Sequence, residues 1–149
     1  MMPKYRVGLI GHNIGYSRSG DIYAAIFRQL GVDGEFCLFD VPSESLDAVV
    51  YRLRQENFVG VAVTIPHKQA MLNYLDKKSD AVAAIGATNS IGVRQTSLLG
   101  YNTDSDGFEY VLREMAKVSN VEKALILGNG GSGRAAIYSL EKRWVAGIS

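Results

Sequence analysis

Three short runs, residues 6–11 (RVGLIG), 35–40 (EFCLFD) and 60–66 (GVAVTIP), alternate with longer stretches whose apolar residues recur every three or four positions. Runs this short and this apolar predict strands covered on both faces, and strands linked through helices must lie parallel. Between the first two runs, Ile22, Ala25, Ile26 and Leu30 lead up to Gly31 as a stop, which predicts a helix over residues 20–30 packed through that stripe. Leu46, Val49, Val50 and Leu53 mark a second helix, begun by Pro42 and Ser43. Helices are expected over residues 67–75 and 79–85. Residues 90–93 and 97–101, joined by Arg94-Gln95-Thr96, predict an antiparallel pair. A helix over residues 105–117 follows, capped by Asp104 or Ser105 and apolar along Phe108, Val111, Leu112 and Met115. A last strand, 124–127, leads into a glycine loop and another helix. The fold expected is a three-layer α/β/α domain, its sheet mostly parallel with an antiparallel edge, followed by the first βα unit of a second domain.

Sixteen basic and fifteen acidic residues leave a net charge of +1 on 149 residues. No broad field favours nucleic acid or an anionic membrane, so a small ligand is the expected partner. No window approaches the roughly 18 apolar residues of a membrane span, and the N-terminal apolar run is too short for a secretory signal. Cys37, the single cysteine, has no internal disulfide partner and reads as a structural thiol. Both points suit a soluble protein of the reducing cytoplasm. His12 and His67 are the only histidines, read as loop or surface residues, and no metal site is expected.

Five stretches hold residues suited to chemistry. In IGYSRSGD, Ser17 and Ser19 stand two apart just after a buried strand. Ligands of open α/β sheets sit beyond the carboxyl ends of strands, so the hydroxyls could hold a carboxylate; taken alone, they are better explained by a serine turn or an N-cap at a helix start. VTIPHK ends a strand with Thr64 and Lys68, and a lysine held against apolar surface can act as acid or base at a carbonyl, although most lysines are simply solvated. GATNS, with Asn89, and GYNTDSDG, with Thr103 and Asp104, put amides and hydroxyls beside glycines at strand boundaries. Asp104 could accept from a ligand hydroxyl, orient Lys68, or cap a helix.

GNGGSGR supplies Gly128, Asn129, Gly130, Gly131, Ser132, Gly133 and Arg134, with the three glycines of G-x-G-x-x-G between a strand and a helix. Glycine lets a pyrophosphate approach the backbone, and the helix N-terminus offers amide donors. The lysine and Ser/Thr of a P-loop are missing.

Taken in order, IGYSRSG, VTIPHK, GATNS, GYNTDSDG and GNGGSGRAA resemble the shikimate dehydrogenase family, including its quinate/shikimate relatives, from residue 5 to about residue 140. The resemblance implies residues 1–103 as a shikimate-binding catalytic domain and residues 104–149 as a linker helix and the start of a Rossmann domain. It implies Lys68 and Asp104 as the catalytic pair for reversible reduction of 3-dehydroshikimate to shikimate. Ser17 and Ser19 would hold the substrate carboxylate, with Thr64, Asn89 and Thr103 as further contacts. Gly128 to Arg134 would cradle NADP, with NAD as the alternative. Tyr16, Gly20 and Tyr23 stand where the family usually has histidine, proline and histidine.

The residue that would read the cofactor ribose, about 20 positions beyond the loop, falls at or past Ser149. A severed nucleotide site and an inactive chain are therefore expected, with a stand-alone shikimate- or quinate-binding module as the alternative. A lone βα unit leaves a strand unpaired, so residues 124–149 should be disordered, docked on the first domain or paired with another chain. Trp144 and Val145 add an apolar terminus suited to self-association.

Overall fold

The computed structural model of the chain describes residues 4–118 and 123–144. β1 (Tyr5–Gly11) lies between β2 (Gly34–Asp40) and β3 (Phe58–Val63), parallel to both. The register sets Gly11 opposite Asp40 and Ile10 opposite Val63, so the three carboxyl ends stand side by side. α1 (Ser19–Leu30) carries the chain from β1 to β2, and α2 (Leu46–Gln55) carries it back across β1 to β3. Right-handed crossovers in opposite directions put these helices on opposite faces of the sheet.

α2 covers the better-packed face. Its Leu46, Val49, Val50 and Leu53 are buried against Ile10, Phe39, Phe58, Val61 and Val63, each apolar side chain contributing about 2 kcal/mol. α1 is a helix as expected, but it packs through other residues. Ile22, Ile26 and Leu30 are 58%, 40% and 68% exposed, and Ala25 is exposed too. Tyr23 and Phe27 face inward instead, with the Tyr23 ring stacked 5.3 Å from Phe36 of β2. The helix carries two apolar stripes, and the aromatic one meets the aromatic residue of the neighbouring strand.

The expected hairpin forms from β5 (Ser90–Arg94) and β6 (Ser97–Tyr101), with Gln95 in the left-handed conformation of its turn. β5 runs antiparallel to both β3 and β6. A two-residue strand that sequence reading missed, β4 (Lys77–Lys78), pairs with β6 and completes the order β2-β1-β3-β5-β6-β4. The missing strand explains a second correction. Residues 67–75 form turns and a short 3₁₀ helix, Ala70–Asn73, rather than an α-helix. Arg54 takes the Tyr74 carbonyl at 3.0 Å, and Asp76 N–H donates to the Leu98 carbonyl at 3.0 Å, so the sheet captures the segment before a helix can continue.

α3 (Asp80–Ile85) starts on a Ser79 cap and ends at Gly86 in the left-handed region. α4 (Thr103–Val118) and α5 (Gly131–Trp144) follow. The strand expected at residues 124–127 does not form: the segment has no regular secondary structure and no ladder partner among the described residues, and Leu125 and Leu127 are 85% and 88% exposed. A strand needs a neighbour for its N–H and C=O groups, and none of the described residues supplies one. α5 nevertheless docks. Ala135, Ser139 and Leu140 are buried, and Ala135 packs with Ile85 and Ala87. Ser139 Oγ donates within 3.0 Å of the Ser105 carbonyl and 2.8 Å of its own helix's Ala135 carbonyl. The Trp144 side chain and Val145 lie outside what is described. Among the described residues no helix is long and apolar enough to cross a membrane.

Candidate active site

Lys68 stands on the turn beyond β3, and its Nζ donates to Asp104 Oδ2 at 2.5 Å and to Ser132 Oγ at 3.2 Å. The lysine and aspartate side chains are 13% and 25% exposed. An ion pair so sheltered is screened less than one in bulk water.

Asp104 reaches this position because it does not cap its helix. Asn102 does: its Oδ1 accepts from Ser105 N–H at 3.3 Å, while its Nδ2 donates to the Ala87 carbonyl at 2.9 Å. Sequence reading assigned the cap to Asp104 or Ser105. Asn102 is only 4% exposed, and a buried amide must satisfy both its donor and its acceptor. The cap one step earlier leaves the Asp104 carboxylate in the first turn, turned toward the lysine.

Asn89 completes the cluster. Its Nδ2 donates to Asp104 Oδ1 at 2.8 Å and to Thr103 Oγ1 at 2.9 Å, and its Oδ1 accepts from Thr103 N–H at 2.8 Å. The neighbouring Thr88, which sequence reasoning passed over, is fully buried. Its N–H donates to the Lys68 carbonyl and its Oγ1 to the Tyr101 carbonyl, each at 2.8 Å, joining the lysine turn to the hairpin. The signal was present in GATNS, as a small polar residue after the helix-ending Gly86.

Ser17 and Ser19 form a separate group on the loop from β1 to α1. Ser17 Oγ accepts from Ser19 N–H at 3.2 Å and donates to Ser19 Oγ at 3.0 Å, which is the serine turn that the spacing allowed. It still leaves two hydroxyls side by side beyond the carboxyl end of β1. Thr64 follows β3 at the adjoining strand end, its N–H bonded to the Ile10 carbonyl at 2.8 Å. A Cβ at Gly11 would lie 2.7 Å from the Thr64 methyl, so only glycine lets the two strand ends approach this closely. Tyr16 projects into solvent, 74% exposed, whereas Tyr23 belongs to the packing of α1.

The glycine loop closes the other side. Gly128 has φ +102°, and a side chain at Gly131 would come within 3.0 Å of Lys68. Lys68, Ile65, Pro66, Gln69, Leu127 and the loop line a cleft of about 410 Å³. Open space at Gly130 and the start of α5 at Gly131 fit a pyrophosphate, which needs backbone approach and helix N-terminal amides. Arg134 is turned back on the loop, its Nε donating to the Asn129 carbonyl at 3.3 Å.

His67 also departs from its sequence reading as a loop or surface residue. It is fully buried, and its Nε2–H donates to the Val41 carbonyl at 2.8 Å, since a carbonyl can only accept. Its Nδ1 is buried without a hydrogen-bond partner among the described residues, so only one of the two ring nitrogens is engaged.

Residues 9–91, over half of the chain, match the family model of the shikimate dehydrogenase substrate binding domain. The chain belongs to the shikimate dehydrogenase family. It is 40% identical over 144 residues to the shikimate dehydrogenase (NADP(+)) of Methanothermobacter thermautotrophicus, covering 95% of this chain and 50% of that protein. The shikimate 5-dehydrogenase of Thermus thermophilus, solved with NADP(H) and shikimate, superposes with a TM-score of 0.81 at 34% identity, over 93% of this chain and 52% of that one. The ligand-free 5-ketofructose reductase of Gluconobacter sp. strain CHM43 gives 0.79 at 27% identity, over 95% and 51%. The chain thus spans about half the length of the relatives it matches. One fold thus carries enzymes of different names, so substrate choice has to come from side chains.

Proposed function

We propose that this chain is the substrate-binding, acid–base half of an NADP-dependent shikimate dehydrogenase, with NAD as the alternative cofactor, acting in the cytoplasm in aromatic amino-acid biosynthesis. The observation that carries this reading is the Lys68–Asp104 pair, held by Asn89 and Thr103 and facing the glycine loop. Reduction of 3-dehydroshikimate develops negative charge on the ketone oxygen. The Lys68 ammonium stabilises that oxygen and passes it a proton, while Asp104 keeps the ammonium aimed; general acid help of this kind is worth about 10²–10⁴ in rate. Ser17 and Ser19 hold the ring carboxylate, and Thr64, Asn89 and Thr103 fix the ring. A bound dihydronicotinamide supplies the hydride. Gly128 to Gly133 hold its pyrophosphate, and Arg134 braces the loop.

The 124–127 segment, without a ladder partner among the described residues, supports a corollary: by itself the chain binds substrate and turns over little or none. The exposed Leu125 and Leu127 suit pairing with a second dinucleotide-binding half or a second copy. Titration of the chain with shikimate, followed by amide resonances, tests the reading: shifts at Ser17, Asn89 and Thr103 are expected, and an unchanged spectrum sinks it. NADPH-dependent reduction of 3-dehydroshikimate by the purified chain would overturn the corollary. Shikimate or quinate binding without turnover, even after the second half is joined on, would favour a binding module.

A further inference from the structure

The loop that carries Ser17 and Ser19 is held by a carboxylate from another strand. Asp40, the last residue of β2, accepts from Asn13 N–H through Oδ1 at 2.7 Å and from Ile14 N–H through Oδ2 at 3.0 Å. Asn13 is in the left-handed region at φ +57°, and this conformation turns its amide and the next toward one acceptor. Ile14 is 1% exposed, and its carbonyl accepts from Ser17 N–H at 2.9 Å. A short relay therefore runs from the Asp40 carboxylate through Ile14 to the Ser17 backbone, and from Ser17 Oγ to Ser19.

The same strand end reaches the lysine side of the cleft. Val41 N–H donates to the Gly11 carbonyl at 2.9 Å, and the Val41 carbonyl accepts from His67, next to Lys68. His12, with Nδ1 3.6 Å from Asp40 Oδ1, gives its N–H to the Ile65 carbonyl at 3.0 Å. Asp40 and Val41 thus sit where the serine loop and the lysine turn are joined.

We propose that Asp40 is the positioning residue of the serine pair, setting its affinity for a carboxylate while making no contact with the substrate. A carboxylate can accept both amides at once. An asparagine offers one oxygen, and its NH₂ would face a second donor. The proposal rests on the serines being the carboxylate site, and its test separates the two ideas.

The full 149-residue chain is titrated by calorimetry with shikimate and with its methyl ester, which lacks the charge. Asp40→Asn and Asp40→Ala should each weaken shikimate binding by about tenfold or more, while ester binding changes by less than about twofold. Adding Asp40→Asn to a Ser17→Ala/Ser19→Ala chain should cost nothing further, because the groups it positions are gone. Equal losses for both ligands, or full additivity, overturn the proposal. Hydrogen exchange at the Ser17 amide reads the clamp without ligand: Asp40→Asn should speed it by about tenfold or more, and unchanged exchange also overturns the proposal. If the natural chain binds neither compound, the substrate reading fails, and the exchange result alone decides whether Asp40 holds the loop.

Discussion

Lys68 and Asp104 are 36 positions apart, yet the lysine Nζ lies 2.5 Å from the aspartate Oδ2, while Asn89 occupies the other carboxylate oxygen. With both oxygens held, the carboxylate has one orientation and the ammonium one direction. In a fusion of this chain to the remaining half of the Methanothermobacter relative, Lys68→Ala should lower kcat by about 10²–10⁴ with a smaller change in KM. Near-normal turnover would remove Lys68 from the acid–base role.

Asn102 sets where α4 begins and thereby where Asp104 points. Asn102→Ala removes the helix cap and leaves the Ala87 carbonyl without its donor. A loss of about 2–3 kcal/mol is expected from the two effects together. Urea unfolding measures it, and a loss below about 0.5 kcal/mol would mean that the helix start is fixed by something else.

Acid should weaken the hairpin side of the sheet through Asp76. Arg54 at 2.7 Å, and then the Leu98 amide, hold the Asp76 carboxyl below the usual carboxylate range. Its folded pKa lies below its unfolded one, so its contribution is full above the unfolded value and disappears as pH falls through the folded value. The side chain is 42% exposed and solvent screens the ion pair, so Asp76→Asn should cost only about 1 kcal/mol at neutral pH. Melting curves of the two chains should converge toward pH 2, and a gap constant from pH 7 to pH 2 would contradict the account.

α5 is held by small buried residues. Ala135 is fully buried against Ile85 and Ala87, so Ala135→Leu should overpack that seam by about 1–3 kcal/mol. Hydrogen exchange across α5 should quicken while α2, on the other core, stays protected. Unchanged protection of α5 would show that the helix is not docked there.

Sequence alone determined the layer pattern, because a strand buried on both faces and a helix covering a sheet each write a period into their own residues. The order of the five motifs likewise singled out Lys68, Asp104, Asn89 and Thr103, the residues found bonded together. What it left open depends on partners distant along the chain. Two apolar stripes on α1 are equally helical, and β2 decides which turns inward, Tyr23 stacking on Phe36 and Phe27 lying over Gly34. Residues 67–75 could have coiled, but Arg54 and β6 took the backbone groups that a helix needs. Residues 124–127 read as a strand, yet a strand requires a neighbour, and periodicity cannot supply one. Asp40 looked like the polar end of a strand; only the tertiary structure, by setting it opposite Gly11, put its carboxylate on the amides of Asn13 and Ile14.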